Sequence, residues 1–439
     1  MTIVYILIVL FFILYARKDF SKSLILFAAI HNLFNSGMAI RFQPPAITID
    51  LLLNVFFVFM YYTKYKNIVK SSKEPFFKQS FVWMIISLMI STIVAVLGGN
   101  TSAITMGIRT ILSQYVFIFI FWHVCNTEKQ LLYFSKCIIV AFTIVLVYGL
   151  FEYITNSNPI LNIIHANIPD AYADDKLYIS DLEYTLRGGR ARLQSLFYIT
   201  ILYGISSVLF VFYVITVFRK QKDFEINKQY MYFLVACGLF ACYLSNSKTP
   251  IIAIPIIFLP YIFKRKYSIF ILIILAYFIF NPNLFNSLLS NVVNINAFDV
   301  NNDDPNAGST VAMRLIQLEI SFNAFMQSPI WGNGLRYSGY LASTSAGAEL
   351  LGAESCWFKL LIEQGVLGIL AFVNIIYTFV KKGVEISKND RCTLGFFGLG
   401  FYLIVSITDI GFELFYVLFI ALYKIYGINK SKMEVSVQK

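Results

Sequence analysis

Long apolar runs separated by short polar breaks recur along almost the whole of this 439-residue chain. Lipid offers the backbone no hydrogen-bond partners, so an apolar run of about 20 residues that crosses a bilayer has to satisfy its N–H and C=O groups within a helix. Hydrophobic residues make up 58% of the chain and charged residues only 13%, a balance that excludes an ordinary soluble domain. The sequence therefore predicts an all-α fold, a polytopic transmembrane helical bundle in a lipid bilayer.

Polar residues at the ends of the apolar runs delimit about thirteen spans, within a range of about 12 to 14. The predicted spans are 2–16, 23–40, 46–62, 81–98, 104–125, 131–152, 193–217, 229–246, 250–263, 267–280, 356–380, 394–408 and 411–426. Several of them are shorter than a straight crossing requires. The last two flank Asp409 and are also compatible with one bent element.

The net charge of +11 comes from basic residues that stand mainly at the ends of the spans. Because Lys and Arg are retained on the cytoplasmic side during insertion, the basic loop 64–78 is assigned to that side. Alternation then places the other basic loops on the same side and the amino terminus outside. These loops are 17–18, 219–222, 264–266, 381–382 and 430–432. Membrane orientation accounts for the charge, so we expect no nucleic-acid partner.

Two long hydrophilic segments, 153–192 and 281–355, interrupt the spans, and alternation assigns both to the extracytoplasmic face. Both are net acidic, so the arginines within them do not belong to a general positive surface. The predicted division of the chain is amino-terminal spans at 1–152, an outer loop at 153–192, middle spans at 193–280, a large outer loop at 281–355, and carboxy-terminal spans with a cytoplasmic tail at 356–439.

Side chains that usually hold metals or form disulfides are scattered along the chain. His31, His123 and His165 lie far apart, and none belongs to a cluster with ligand spacing. The cysteines lie within apolar spans or at their ends, so neither outer segment contains a pair to bridge. We therefore expect no metal, no cofactor and no disulfide framework.

The segment 311–326, inside the second outer loop, has the spacing of an amphipathic helix. Its apolar residues recur at helical spacing, while Arg314 and Gln317 fall together on another face. Such a helix can lie along the membrane surface, with its apolar stripe toward the acyl chains and Arg314 in the plane of the headgroups. The same spacing also allows Arg314 simply to snorkel or to pair with a nearby acid.

Pro329, Gly332 and Gly334 follow this helix, stop it and allow tight backbone turns. The chain then reaches Glu354, which stands just before the span 356–380. Ionisable groups held beside a bilayer are costly, so our default hypothesis is that they serve a substrate. A plain turn at the glycines and a helix-capping role for Glu354 are the structural alternatives.

The order of these pieces resembles the carboxy-terminal half of the bacterial O-antigen polymerase and ligase family of membrane proteins. The matching pieces are Arg314, Pro329, Gly332-x-Gly334, Glu354-Ser355-x-x-Phe358 and Gly365-Val366-Leu367-Gly368. Upstream, 189–197 resembles an arginine-bearing loop of that family, and 245–249 resembles its short polar turn. The similarity covers about 190–370 in short fragments, and its specificity lies in their order.

The resemblance implies a metal-independent glycosyltransferase that acts on undecaprenyl-diphosphate-linked oligosaccharides at the periplasmic face of the bacterial inner membrane. Ligases of the family resemble one another in a His-Asn or His-Ser pair eleven residues before the first glycine of the Gly-Val-Leu-Gly motif, where this chain has Glu354. That departure favours an O-antigen repeat-unit polymerase, an enzyme of lipopolysaccharide biosynthesis, over a ligase. The resemblance also implies a polysaccharide chain-length regulator and a flippase as partners to consider.

The implied reaction assigns roles to the polar residues. Diphosphate gains negative charge as it departs, and fixed guanidinium groups stabilise such charge, so Arg192 and Arg314 are predicted as its principal clamps. Glu354 is predicted to accept the proton of the attacking sugar hydroxyl in a single inverting displacement. Further candidates for substrate binding are Arg187, Arg190, Gln194, Lys248, Arg336 and Tyr337.

A lipid-linked oligosaccharide flippase or another transporter would share the number of spans, and Arg109 inside an apolar run fits that class. A transporter is expected to show repeated halves and short connections, whereas the outer segment 281–355 spans 75 residues. The polymerase is therefore the preferred prediction. A ligase, a transporter and a structural assembly subunit are the alternatives.

Overall fold

The structure is a computed structural model that describes residues 2–34, 38–41, 47–65, 74–166, 186–187, 190–197, 199–221, 227–262, 311–344, 350, 355–409 and 411–437. Two sequence predictions, the span 267–280 and the general base Glu354, lie outside these residues. The described part is almost entirely helical, and its strands form only two short antiparallel pairs.

The amino-terminal helices are α1 (Thr2–Lys18), α2 (Phe20–Ile30), α3 (Ile49–Met60), α4 (Lys78–Leu97), α5 (Ser102–Thr110), α6 (Phe117–Val124), α7 (Glu128–Thr155) and α8 (Pro159–Ala166). A 3-10 turn at His31–Leu33 follows α2. Wide π-helical turns extend α3 at Tyr61–Tyr65 and join α5 to α6 at Ile111–Val116. Strand β1 (Ala39–Arg41) pairs with β2 (Ile47–Thr48) between α2 and α3.

The second half begins with a hairpin of β3 (Leu186–Arg187) and β4 (Arg190–Ala191). The helices that follow are α9 (Thr200–Lys220), α10 (Lys228–Leu244), α11 (Lys248–Ile257), α12 (Leu259–Ile262), α13 (Val311–Gln327), α14 (Tyr337–Ala342), α15 (Cys356–Ser387), α16 (Thr393–Ile407) and α17 (Phe412–Val437). A 3-10 turn at Lys388–Asp390 joins α15 to α16. The last two predicted spans are thus separate helices, not one bent element.

Six helical segments of the described part are long and apolar enough to cross a membrane. They are Lys78–Leu97, Ser102–Val124, Glu128–Thr155, Thr200–Lys220, Cys356–Asp390 and Phe412–Lys432. Phe20–Leu33 and Thr393–Ile407 are shorter apolar helices. The predicted all-α polytopic membrane bundle is therefore confirmed, while the total number of spans stays a prediction.

Helices α9 and α17 form the centre of the bundle, because their side chains are buried on nearly every side. A helix that is apolar all round belongs in such an interior. Aromatic rings join these two helices to α16: Phe212 stacks on Phe397 with ring centroids 4.3 Å apart, and Phe401 stacks on Phe415 at 3.9 Å. The outer faces of α1, α4 and α7 instead expose large apolar side chains, as contact with lipid requires.

Basic residues predicted to face the cytoplasm gather at one end of the bundle, here called the basic end. Arg219 and Lys220 at the end of α9 each lie 3.2 Å from a carboxylate oxygen of Asp390. Lys432 Nζ lies 2.6 Å from Glu128 Oε1, which brings the end of α17 to the start of α7. Helices α9 and α17 therefore end, and α7 begins, at the same end of the bundle, as the charge pattern predicts. The opposite end, where α3, α15 and α17 begin, is called the site end.

Candidate functional site

Helix α15 is interrupted at Gly365, within the Gly-Val-Leu-Gly motif. Gly365 has φ 59° and ψ −153°, a backbone conformation that is essentially restricted to glycine. The interruption divides the helix into 356–364 and 366–387, and it leaves backbone groups on both sides without their usual helical partners. Something else has to satisfy these groups inside the bundle.

The loop between α13 and α14 supplies the missing partners. Backbone N–H groups of Asn333 and Gly334 donate to the carbonyls of Ile362 and Glu363, at 2.8 and 3.2 Å. On the other side of the break, the N–H of Val366 donates to the Pro329 carbonyl at 2.9 Å. We call this contact between 329–335 and 362–366 the glycine joint.

Close backbone approach explains why glycines occupy this joint. A Cβ on Gly332 would lie 2.3 Å from the Glu363 carbonyl carbon, and one on Gly365 would lie 2.6 Å from the Pro329 oxygen. The two glycine motifs of the sequence are thus two halves of one contact. A plain surface turn, the structural alternative for Gly332 and Gly334, does not describe this arrangement.

Helix α4 holds the joint from the opposite side. Ser91 Oγ donates to the Glu363 carbonyl at 2.7 Å, and the backbone N–H of Leu335 donates to the Ser91 carbonyl at 3.1 Å. Ser87 Oγ donates to Gln364 Oε1 at 2.9 Å. The joint is therefore fixed by main-chain and side-chain bonds from three parts of the chain.

A row of ionisable side chains lies beside the joint toward the site end. Glu363 is buried and accepts a hydrogen bond from Ser338 Oγ of α14, at 2.5 Å. One turn earlier, Lys359 Nζ lies 2.5 Å from Asp409 Oδ2 in the turn between α16 and α17. Sequence reasoning assigned no role to Lys359 or Glu363, and it noted Asp409 only as the residue between the last two spans. The available signal was the spacing of Lys359 and Glu363, one helical turn apart within an apolar span.

The head of α15 is anchored to the end of α16. Ser355 Oγ donates to the carbonyl of Ser406 at 2.7 Å, and Trp357 Nε1 donates to Ser406 Oγ at 2.8 Å. Glu354 immediately precedes this anchored residue in the chain. Its side chain lies outside the described residues, so its role as general base stays a prediction.

Arg314 lies on α13, whose observed bounds of Val311–Gln327 agree with the predicted amphipathic helix. Its Nη1 donates to Gln317 Oε1 at 3.1 Å, and Gln317 Nε2 donates to the carbonyl of Leu350 at 3.2 Å. Leu315 and other apolar residues of the stripe point outward, whereas Gln317 is fully buried. Arg314 is therefore held on a helix that packs against α15, and Gln317 ties that helix to Leu350.

Arg192 lies at the turn between α10 and α11. The backbone N–H of Leu193 donates to the Leu244 carbonyl at 3.3 Å, and Arg192 Nη2 lies 3.5 Å from Ser247 Oγ. These contacts join two fragments that lie about fifty residues apart in the chain, the 189–197 loop and the 245–249 turn. Both belong to one structural unit at the site end.

Glu152, at the end of α7, fixes the backbone that follows Arg192. Its side chain is only 1% exposed and accepts hydrogen bonds from the N–H groups of Gln194 and Ser195, at 3.3 and 2.6 Å. Asn158 Nδ2 donates to the Ser195 carbonyl at 2.7 Å. Gln194, predicted to bind substrate, is only 2% exposed and takes part in this anchor through its backbone. Sequence reasoning missed the role of Glu152 because its partners are backbone groups some forty residues later.

The structure describes the backbone of the other predicted substrate-binding residues, but not the side chains of all of them. Arg187 and Arg190 face each other across the β3–β4 hairpin, and Lys248 begins α11, but their side chains lie outside the described part. Arg336 is exposed, has φ 70°, and donates from Nη1 to Ser102 Oγ at 3.0 Å. Tyr337 is half-buried at the start of α14, where its hydroxyl donates to Gln327 Oε1 at 3.4 Å.

The start of α9 lies between the two polar groups of the site end. Gly204 abuts the turn between α10 and α11, and Ile205 abuts Gly411 in the turn between α16 and α17. The first turn holds Arg192 and the second holds Asp409. Polar side chains therefore extend across the site end on both sides of the central helix.

A buried ionic network joins the amino-terminal helices at the same end. Asp50 Oδ1 lies 2.7 Å from His31 Nε2 and accepts a hydrogen bond from Asn54 Nδ2 at 2.9 Å. Arg109 Nε of α5 lies 3.8 Å from Asp50 Oδ2. Across the described residues, no three His, Cys, Asp or Glu side chains gather as metal ligands.

A known family model matches part of this chain. Residues 233–373 match the family model described as O-antigen ligase. The matched region runs from α10 into α15 and includes Arg314, the glycine joint, Lys359 and Glu363. A search of curated proteins found no significant match.

Proposed function

We propose, from the match of residues 233–373 to the family model described as O-antigen ligase, that the protein is an O-antigen repeat-unit polymerase. It transfers a growing glycan from undecaprenyl diphosphate to a sugar hydroxyl of the next lipid-linked repeat unit. The reaction takes place at the periplasmic face of the bacterial inner membrane, without a metal. The observation that carries the proposal is the family match, because the matched region contains the ordered arginine and glycine pieces.

Two anchored arginines support the proposed departure of the diphosphate. When the bond between the anomeric carbon and the diphosphate oxygen breaks, negative charge builds up on the leaving diphosphate. Guanidinium groups that are already fixed stabilise this charge without reorganising during the reaction. Arg192, held by Ser247, and Arg314, held by Gln317, are anchored in this way. We assign both to the leaving diphosphate.

Glu354 is the proposed general base for the attack of the acceptor hydroxyl. The acceptor hydroxyl attacks the anomeric carbon as the diphosphate leaves, and its proton passes to the Glu354 carboxylate in the same displacement, which inverts the anomeric centre. The anchoring of Ser355 to α16 supports this role, because it fixes the backbone next to Glu354. The bond from Gln317 to Leu350 ties the Arg314 helix to the segment that leads to Glu354.

Glu354 also favours a polymerase over a ligase. It stands where the family's ligases resemble one another in a histidine pair, and a carboxylate and an imidazole are not equivalent in charge or in proton affinity. The ligase remains the second candidate, because the matching family model carries that description.

A complementation experiment tests the proposed polymerase. We expect Glu354→Gln, Arg192→Ala and Arg314→Ala to abolish the surface-glycan ladder when each is expressed in a polymerase-deficient strain, because each removes the base or a clamp. Arg391→Ala is the matched control, since Arg391 is an exposed arginine at the basic end. Normal ladders from well-expressed forms of all three variants would rule out the proposed site.

Purified components separate the alternative functions. Supplied with lipid-linked repeat units alone, a polymerase lengthens them into a ladder, whereas a ligase leaves them unchanged until lipid A core is added. A strain that lacks the protein distinguishes a polymerase from a flippase. If the missing protein is a polymerase, single-repeat glycan remains on the outer face of the membrane. A flippase defect leaves no extracytoplasmic product.

A further inference from the structure

Joining two lipid-linked glycans requires two diphosphate sites. The donor glycan leaves its diphosphate, while the acceptor repeat unit keeps its own throughout the reaction. Arg192 and Arg314 are assigned above to the donor. A second anion site is therefore expected elsewhere at the site end, and this expectation rests on the proposed polymerase function.

Arg336 lies in a position that suits such a site. It follows the glycine joint directly, and its side chain is exposed at the site end, where its Nη1 donates to Ser102 Oγ at the start of α5. Within the described residues, Nε and Nη2 of Arg336 have no hydrogen-bond partner. The guanidinium is thus tethered at one nitrogen and keeps donors available for an anion.

Arg109 lies on the same face of α5 as Ser102. The two residues are about two helical turns apart, or about 10 Å along the axis, and helical side chains lean toward the amino terminus of the helix. The Arg109 side chain therefore leans toward the turn at which Arg336 is bound. Its side chain is 36% exposed, although most of the helix around it is apolar.

Asp50 orients Arg109 through the Nε of Arg109 and leaves the two terminal Nη groups of that side chain uncontacted. The carboxylate is buried and fixed by His31 and Asn54, and it faces Nε of Arg109 at 3.8 Å. In the described part of the chain, both Nη groups of Arg109 have no hydrogen-bond partner. A purely structural ion pair would be expected to use the terminal nitrogens in a bidentate contact.

We propose that Arg109 and Arg336 bind the diphosphate of the acceptor repeat unit. This pair lies against α5, whereas Arg192 lies against the turn between α10 and α11, and the central helix α9 and the Lys359–Asp409 pair come between them. The separation lets two lipid carriers approach the bundle from different sides. Their glycan ends then meet near the head of α15.

Direct binding measures the number of sites. Farnesyl diphosphate is titrated into the full-length protein in phosphatidylcholine nanodiscs, and heat release gives the stoichiometry. We expect two sites in the wild type, loss of one in Arg109→Gln/Arg336→Gln, and loss of the other in Arg192→Gln. Each loss means affinity lowered by about 10- to 100-fold, since charged hydrogen bonds disappear. Unchanged stoichiometry and affinity in the Arg109→Gln/Arg336→Gln variant would overturn the proposal.

Two further variants separate binding from folding. Arg391→Gln is the control, because Arg391 is also exposed and also has a positive φ, of 57°, but lies at the basic end. Arg109→Lys keeps a cation beside Asp50 but loses the planar fork. We expect it to melt at the wild-type temperature and still to bind more weakly. Wild-type affinity in Arg109→Lys would argue against a bidentate diphosphate contact.

The source of the anion is tested by changing the lipid. Replacing part of the phosphatidylcholine with phosphatidylglycerol leaves the affinity for farnesyl diphosphate unchanged if the site selects a diphosphate. Complete competition by phosphatidylglycerol would show a general headgroup site and contradict the proposal. In polymerisation assays, Arg109→Gln is expected to raise the KM for acceptor units. If the wild-type protein makes no ladder, the proposed polymerase function is wrong. If the wild type makes a ladder and Arg109→Gln leaves the KM for acceptor units unchanged, only the proposed acceptor site is wrong.

Discussion

At the residue scale, the backbone after Arg192 depends on one buried carboxylate. Glu152 accepts two backbone hydrogen bonds from Gln194 and Ser195, so the loop that carries the predicted clamp is fixed by α7. A buried charge is stable only when such partners satisfy it. The same bonds therefore serve both stability and the placement of Arg192.

We expect Glu152→Gln to destabilise the protein by about 2 kcal/mol and to lower polymerisation at least about tenfold. The introduced amide NH2 would face a backbone N–H, so one of the two bonds is lost. Thermal unfolding and ladder formation by the purified protein check this. Glu128→Gln is the control, because the pair that Glu128 makes with Lys432 lies at the surface and its loss should change stability by less than about 1 kcal/mol. Equal effects of the two substitutions would contradict the anchoring role.

The sequence indicated the arginines better than it indicated their partners. Arg192 and Arg314 stand out because cations in acidic, membrane-facing segments need a reason. Glu152 and Asp409 could not be paired in advance, since each meets its partners through tertiary contacts between distant helices. Periodicity within one segment carries no information on such contacts.

At the scale of elements, the glycine joint makes α13, its following loop and α15 into one unit. The break at Gly365 places unpaired backbone groups inside the bundle, and the loop 329–335 pairs with them. Irregular backbone within a membrane protein is tolerated where neighbouring protein groups satisfy it. The joint therefore fixes how α13, and with it Arg314, lies against α15.

Gly365→Ala is expected to destabilise the protein by about 2–4 kcal/mol, because the added Cβ meets the Pro329 carbonyl and the φ of 59° is unfavourable for alanine. Gly339→Ala, in α14, is the control. Nothing lies within 4 Å of the Cβ it would add, so it should be neutral or slightly stabilising. Thermal melting in detergent distinguishes the two, and similar melting temperatures would show that the break is not needed.

Helical elements were more predictable than their interruptions. The segment 311–326 was recognised from its period and agrees with the observed Val311–Gln327. The break at Gly365 was not foreseen, because glycine in an apolar run also occurs in continuous membrane helices. The π-helical turn at Ile111–Val116 likewise leaves the hydropathy of its span unchanged.

At the scale of the whole molecule, the chain has two chemically different ends. Ion pairs of Asp390 with Arg219 and Lys220 hold the basic end, while the joint and the predicted clamps occupy the other. The charge pattern predicted a common end for Arg219, Lys220 and Lys432, because it reflects insertion rather than packing. Hydropathy could not predict which helices would be central, since α9 is no more apolar than α4 or α7, and α17 is the least apolar of the long helices in the described part.

Cysteine labelling checks the orientation of these ends. We expect a membrane-impermeant maleimide to label Ser343→Cys in intact spheroplasts, because Ser343 is exposed at the site end. Lys388→Cys, exposed at the basic end, should react only after lysis. The unmodified protein gives the background from its own six cysteines. Labelling of Lys388→Cys in intact spheroplasts would contradict the proposed topology, because it would place the basic end outside the cytoplasm.

The main-chain character of the glycine joint has a consequence for how homologous sequences can diverge. When a side chain in a contact becomes larger, a smaller side chain on the other side can restore the packing. Gly332 and Gly365 instead contact backbone atoms, which no substitution can make smaller. Neither glycine can therefore be rescued by altering its counterpart. We expect related chains to keep both glycines and the length of the loop between them and α13, while the apolar residues around them drift freely.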